Sequence, residues 1–327
     1  MKKKVLAVLL ILTLVAATFV GCGDKGDSAE NGGDKVYKVA YIARAQSDSF
    51  AAWLANEMKA AAAEYPDVKL DIFDGQADDE KENAAIENAI ANGYDAIIVQ
   101  PNNGEAQRPY VEQIVDAGII AITTNARIDG IDGASSVDAD PYVQAKVNAE
   151  AAIDQIPQNG RVVVLKGPSG NFHADERLKA WKEVFFAARP DVKIVGEDFA
   201  NWNKDEAMQL MEDWVISQGK IDAIISMNDN MAAGALEVVK DKPEYAEILS
   251  YGVDGTAEAC LLIEEGKMTS TCLQSAIDLA KLNMETVYKL LTGEETQIDT
   301  DIAAPLITKD NASEYVKIYR DRGLITE

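Results

Sequence analysis

The chain has 327 residues, 55 acidic against 31 basic, a net charge of −24, one histidine and three cysteines. Such an acidic surface argues against nucleic acid or anionic lipid as a partner. The single histidine, His173, leaves little to build a His-based metal cage or a Ser-His-Asp arrangement, and no cofactor is implied.

The first segment speaks to compartment. Lys2, Lys3 and Lys4 precede an apolar run over 5–20, then Gly21-Cys22-Gly23. A basic start, a short apolar run and small residues at the cut form an export signal over 1–21. The run is shorter than the ~20 residues a membrane-spanning helix needs. Phe19-Val20-Gly21-Cys22 resembles a bacterial lipobox, with Phe19 where leucine is usual, and makes Cys22 the lipid-modified first residue of the exported protein. Losing the three lysines takes the net charge from −24 to −27. Residues 22–35 follow as a tether. Beyond Cys22 they read GDKGDSAENGGDK, with no large apolar residue to bury.

The remaining length suggests two domains. Residues 36–43 (VYKVAYIA) read as a strand, and 50–65, rich in alanine with apolar residues at helical spacing, as a helix. A strand over 68–73, a helix over 80–92, a buried strand over 96–100, a helix over 105–117 and a strand over 119–123 continue the alternation. The pattern then restarts. Helices are expected over 141–156, 176–188, 205–218, 232–239, 257–265 and 279–292. Strands are expected over 161–166, 192–199, 223–227, 248–253 and 269–273. Uninterrupted apolar strands alternating with helices indicate parallel sheets covered on both faces, here as two similar α/β lobes with Rossmann-like parallel sheets. Cys260 falls in a helix and Cys272 in a strand, so two buried free thiols are at least as well supported as a disulfide.

In open parallel sheets the ligand crevice lies beyond the carboxyl ends of the strands. Those ends are rich in polar and aromatic residues. The first strand is followed by Arg44, Asp48 and Phe50, and the strand over 119–123 by Asn125 and Arg127. The loop GPSGNFHADER after 161–166 carries Asn171, His173, Asp175 and Arg177. Later strand ends bring Trp202, Asn228, Asp254 and Gln274. Aromatic platforms with carboxylates, amides and guanidinium groups suit a sugar ring, whose C–H face stacks while its hydroxyls both donate and accept. Each residue also has a plainer reading. Asp140 and Ser275 read as helix N-caps, Asp229 has the same reading available, and Asp48 precedes a helix it could cap. Trp202, between Asn201 and Asn203, reads as a loop residue rather than core, so its removal should leave the fold intact.

These residues resemble the type I periplasmic sugar-binding proteins, notably the ribose-binding and glucose/galactose-binding members. The likeness covers about 36–311 and is most specific in AIIVQP (96–101), MNDNMAAGAL (227–236), YGVDGTAEA (251–259) and EEGKMTSTCLQ (264–274). It implies two lobes joined by a three-segment hinge that closes over a ligand, with crossings near Ala139, 274–275 and 301–303. The lobes are then 36–139 with 275–302, and 140–274 with 303–327. Position by position, the resemblance assigns Asp48 and Phe50 to a first-loop polar group and its stacking aromatic. Trp202 becomes the aromatic on the opposite ring face, and Asn125, Asn228, Asp254 and Gln274 become ring-facing amides and a carboxylate. The ribose type has Asp-Arg where Asn125-Ala126 stands, a second aromatic at Ala51, and its ligand arginine at Asp175. The loop from Asn171 to Arg177 is similar to a His-Pro-Asp…Arg loop of the glucose/galactose type without sharing its spacing. A hexopyranose or related ring is therefore favoured over ribose, with pentoses, inositol and autoinducer-type furanosides as alternatives. No loop resembles the glucose/galactose member's calcium site.

The resemblance implies capture of a monosaccharide for the permease subunits of an ABC-type importer by a monomer held outside the cytoplasm through Cys22. It does not imply an enzyme. A glycosidase using Asp48 and Asp254 is the competing reading. A lac-repressor-type regulator is not favoured, because the chain starts with an export signal rather than a helix-turn-helix.

Overall fold

A computed structural model describes residues 35–325. The export signal, Cys22 and all but the last residue of the tether lie outside the described residues.

The first half runs β1 (Tyr37–Ala43), α1 (Ser49–Ala62), β2 (Val68–Asp74), α2 (Asp79–Ala91), β3 (Ala96–Val99), α3 (Gly104–Asp116), β4 (Ile120–Asn125) and β5 (Ala134–Asp138). The second runs α4 (Pro141–Gln155), β6 (Arg161–Lys166), α5 (Phe172–Ala180), β7 (Lys193–Phe199), α6 (Lys204–Gln218), β8 (Ala223–Ser226), α7 (Asp229–Val239), β9 (Leu249–Asp254), α8 (Ala257–Glu264) and β10 (Ser270–Leu273). The chain closes with α9 (Ala276–Leu291), β11 (Asp299–Asp301), β12 (Leu306–Ile307) and α10 (Ala312–Asp321).

The strands form two six-stranded sheets, ordered β11-β5-β4-β3-β1-β2 and β12-β10-β9-β8-β6-β7. Both contain the same core order, the first strand between the second and third, and differ at the added edge. There β11 pairs parallel to β5, and β12 antiparallel to β10. The chain passes between the sheets three times: β5 to β6, β10 to β11, and β11 to β12. This is the two-lobe doubly wound α/β architecture expected from the alternation.

Strands β1, β3, β6 and β8 are buried on both faces, because they are largely apolar, whereas the edge strands β2, β7 and β11 are partly exposed. In the first sheet Val39, Tyr41 and Ile98 pack with Leu54 and Met58 of α1 and with Leu279, Met284 and Val287 of α9. Their neighbours Ala40, Ile42, Ile97 and Val99 face the other way, onto Ile86 of α2 and Val111 and Ile114 of α3. Side chains of successive strand residues point to opposite faces, which produces this partition. In the second lobe Val162–Leu165 pack with Trp181, Phe185, Met211 and Tyr251.

Cap residues set most helix starts. Asp140 accepts the N–H groups of Tyr142 and Val143, and Ser275 that of Asp278. Asn228, not Asp229, caps α7 by accepting from Met231. Helices α7 and α9 therefore begin three residues ahead of the apolar stretches that reveal them in sequence. The α5 helix widens into a π turn over Trp181–Phe186. Strands β5, β11 and β12 and helix α10 have no counterpart in the sequence reading. Strand β5 reads ASSVD, small and polar yet buried, without the apolar run that marks the other strands. Cys260 and Cys272 are buried free thiols. Among the described residues no helix is long and apolar enough to cross a membrane, and no cluster of His, Cys, Asp or Glu could hold a metal ion.

Candidate functional site

The carboxyl ends of both sheets face one small cavity of about 20 Å³. That is about the space of one water molecule, far below the roughly 300–1,000 Å³ of sites for drug-sized molecules. From the first lobe it is lined by Arg44, Asp48, Phe50 and Asn125, and from the second by His173, Arg177, Trp202, Asn228, Asp254 and Gln274. Nine of these ten are assigned to ligand binding in the sequence reading, which places Arg44 after the first strand but gives it no role.

Local folding pins each side chain. Asp48 caps α1 through Ala51 N–H at 2.9 Å and pairs with the Arg44 guanidinium at 3.0 Å. The amide of Gln100, at the end of β3, accepts from Arg44 N–H at 3.2 Å and from the Tyr41 hydroxyl at 3.0 Å. That contact ties the ends of β1 and β3 together where the strand order reverses, the usual ligand position in such sheets. Across the cavity Arg177 donates to the Met227 carbonyl at 2.7 Å, to Gln274 at 2.8 Å and to Gln144 of α4 at 2.9 Å. Its guanidinium lies 3.7 Å from Asp254. The Trp202 indole lies so close over Gly167 that a Cβ there would sit 2.3 Å from the ring. Trp202 belongs to the second lobe's hydrophobic core and is 8% exposed, which corrects its reading as a loop residue whose removal the fold would ignore.

Three lining residues hold backbone conformations that side chains disfavour: Asn125 at φ 68°, Trp202 at φ 61° and Asp254 at φ 125°. Asparagine tolerates the left-handed region, but an indole there is strained and persists only where packing over-determines it. Asp229 provides that support for Asp254. Buried behind the cavity, it accepts from Thr256 N–H at 2.8 Å and from the Thr271 hydroxyl at 2.6 Å, and packs over Gly252. It braces the turn after β9 rather than capping α7.

Burial dominates the electrostatics. It pushes the Asp254 carboxyl well up, with Arg177 opposing and Asp229 adding to the rise. Burial, reinforced by Arg177 and Arg44, holds His173 well below its ordinary value, so the ring is neutral and meets the Asn125 amide at 3.1 Å. The cavity thus holds two guanidinium and two carboxyl groups, with no excess of either.

Five buried polar atoms on lining residues have no partner among the described residues: Arg44 Nε, Arg177 Nε, Trp202 Nε1, Asn125 Oδ1 and Asp254 Oδ2. Each such atom costs about 1–3 kcal/mol unless something meets it. Three are donors and two are acceptors, so a matching ligand must both accept and donate. A hydroxyl does both.

Three sequence candidates are not brought to this cavity. Arg127 is one-third exposed and pairs with Asp301 at 3.0 Å in a separate acidic cleft. Asn171 caps α5 by accepting from Ala174 N–H at 3.2 Å and lines the wider cleft outside the cavity. Asp175 is exposed on the first turn of α5. All three satisfied the criterion of following a strand, which selects the right end of the sheet but not the direction of a side chain.

Residues 39–295 match the periplasmic binding protein domain. A xylitol-binding protein of Mycolicibacterium smegmatis is 30% identical over 243 residues, 73% of this chain and 69% of that protein. A protein of Rhizobium meliloti described as a putative rhizopine-binding protein is 29% identical over 274 residues, 82% of this chain and 89% of its own length. Among solved structures, an ABC transporter solute-binding protein of Bacillus halodurans with bound myo-inositol superposes with a TM-score of 0.80 at 27% identity, covering 88% of this chain and 100% of that one.

Proposed function

The chain belongs to the periplasmic binding protein family, and we propose that it captures a neutral polyhydroxylated ring, a monosaccharide of hexopyranose or related type, for an ABC-type importer. The observation that carries this reading is the set of five unpartnered donors and acceptors on a cavity flanked by Phe50 and Trp202. A neutral ring satisfies the polar atoms and lays its C–H face on an aromatic. The bound myo-inositol and the xylitol of the relatives fit the same chemistry, and they keep cyclitols, polyols and pentoses beside hexoses as candidates.

The lobes are 36–139 with 275–302 and 140–274 with 303–327, moving about the crossings near Ala139, 274–275 and 301–303. Ligand favours the closed arrangement because only there does it touch both walls. The protein acts as a monomer outside the cytoplasm, tethered through a lipid on Cys22, and hands its solute to the permease subunits without turning it over.

A thermal-shift screen over myo-inositol, xylitol, D-allose, D-galactose and D-ribose tests the function. At least one should raise the melting temperature in a saturable way. No shift with any of them, and shifts instead with charged solutes, would overturn the reading. For the anchor, Cys22→Ser should move the protein from the membrane fraction to the soluble one, and wild type already fully soluble in its host would contradict it.

A further inference from the structure

A continuous path of contacts joins the two walls of the cavity without entering it. On α1, Trp53 packs edge-to-face against Phe50, a wall residue, with ring centroids 6.0 Å apart. Its indole also meets Tyr319 of α10 edge-to-face at 5.8 Å. The Tyr319 hydroxyl donates to the carbonyl of Gly255 at 2.6 Å, and Gly255 directly follows Asp254 on the opposite wall. A second tie runs alongside. Trp53 Nε1 donates to Glu57 Oε1 at 3.2 Å, and the other Glu57 oxygen takes the Arg322 guanidinium just past the end of α10.

The two helices belong to different lobes. Leu54, Ala55 and Met58 of α1 lie in the first lobe's core, whereas Ala312, Val316 and Tyr319 of α10 lie in the second's, where α10 packs along α8. None of Trp53, Glu57, Tyr319 and Arg322 lines the cavity. The path fixes Phe50 relative to Asp254, residues that contact a ligand from opposite sides. Apparent affinity scales with the fraction of protein already in the binding arrangement. A contact that holds the two walls in register raises that fraction while touching no ligand.

We propose that Trp53 and Tyr319, clasped by the Glu57–Arg322 pair, form an interlobe closure contact that positions the two walls and so sets ligand affinity from outside the cavity. The affinity part rests on the ligand lying between the lobes, as proposed above. Phe50 and Asp254 remain the groups that touch the ligand, and the four residues act through them.

Three variants test it, with the wild-type sequence as reference. Tyr319→Phe removes one hydroxyl, and Trp53→Leu combined with Arg322→Ala removes both ties. The probe is whichever of myo-inositol, xylitol, D-allose, D-galactose and D-ribose stabilises wild type most. Tyr319→Phe should weaken its binding about three- to tenfold, the double variant on the order of tenfold or more, chiefly through faster dissociation. Trp53→Phe, which keeps an aromatic edge but loses the bond to Glu57, should fall between wild type and the double variant. By small-angle scattering the ligand-free double variant should have a larger radius of gyration than ligand-free wild type. Unchanged affinity and dissociation rate in folded variants would overturn the proposal. If wild type binds none of the panel, the proposed function fails while scattering still judges the contact, and a double variant as compact as wild type overturns it.

Discussion

The enclosed cavity and the acidic cleft beside the crossing segments are both lined by charged residues from both lobes, yet they differ in kind. In the cleft, Asp129, Asp138, Asp140, Glu176, Glu183 and Asp301 outnumber Arg127 and Lys179. Its ion pairs are largely solvated: Arg127 with Asp301, and Lys179 with Glu176 at 3.0 Å. The cavity has two guanidinium and two carboxyl groups, whose side chains are at most 8% exposed, and three of the four carry an unpartnered atom. Charge density alone thus does not mark a binding site. Unpartnered polar atoms gathered in one place are the better guide, because each is costly until something meets it: among the described residues five surround the cavity, whereas the cleft has one, Arg127 Nε.

The largest expected effect lies at the cavity's aromatic wall. Trp202→Ala removes an indole that is both wall and core, and should cost about 3–5 kcal/mol of stability, read from the denaturant midpoint, in addition to weakening sugar binding. A variant as stable as wild type would mean the ring contributes nothing to the second lobe's core.

An effect that depends on pH concerns a carboxyl behind the cavity's first wall. Glu82 is fully buried, accepts from Asn102 N–H at 3.1 Å, and is pushed by burial up to about 8, with Arg44 opposing. Its folded value lies above its unfolded value of 4.5, so its contribution favours the fold fully below about pH 4.5 and is lost as pH rises through about 8. Wild type should therefore lose stability relative to Glu82→Gln between about pH 5 and pH 8, by roughly 1.4 kcal/mol for every tenfold difference in proton affinity between the folded and unfolded chain. Parallel stability curves for the two proteins would remove this contrast with the solvated cleft.

The smallest effect belongs to the cleft. Arg127→Ala should change stability by no more than about 1 kcal/mol, as exposed pairs do, and leave sugar affinity unchanged. A loss of affinity there comparable to that from a cavity residue would erase the distinction between the two regions.

The same distinction explains what was legible in the sequence. Apolar strands such as RVVVLK and AIIS announce themselves, and the residues after them supplied nearly the whole cavity, because parallel-sheet geometry places every strand end on one rim. Side-chain direction was not legible. Asn125 and Arg127 stand two residues apart after one strand, yet one enters the cavity and the other reaches Asp301, 174 positions away in sequence. Asn228 lines the cavity and also caps α7, the role available to Asp229 in sequence, since either could cap and only the packing of Asp229 against Gly252 and Thr271 decides. Strand β5 lacked a signal because its buried residues are small and polar. The Trp53–Tyr319 contact links two helices at opposite ends of the chain, and no local pattern encodes such a pairing.

The most direct test of the central claim is titration calorimetry of wild type and Asp254→Ala with the sugar or polyol that stabilises wild type most. The variant strips a buried acceptor from the ligand's hydroxyls, a loss of about 1.5–3 kcal/mol, and should bind at least tenfold more weakly while remaining folded. Equal affinity in a folded Asp254→Ala protein would show that the enclosed cavity is not where this chain holds its solute.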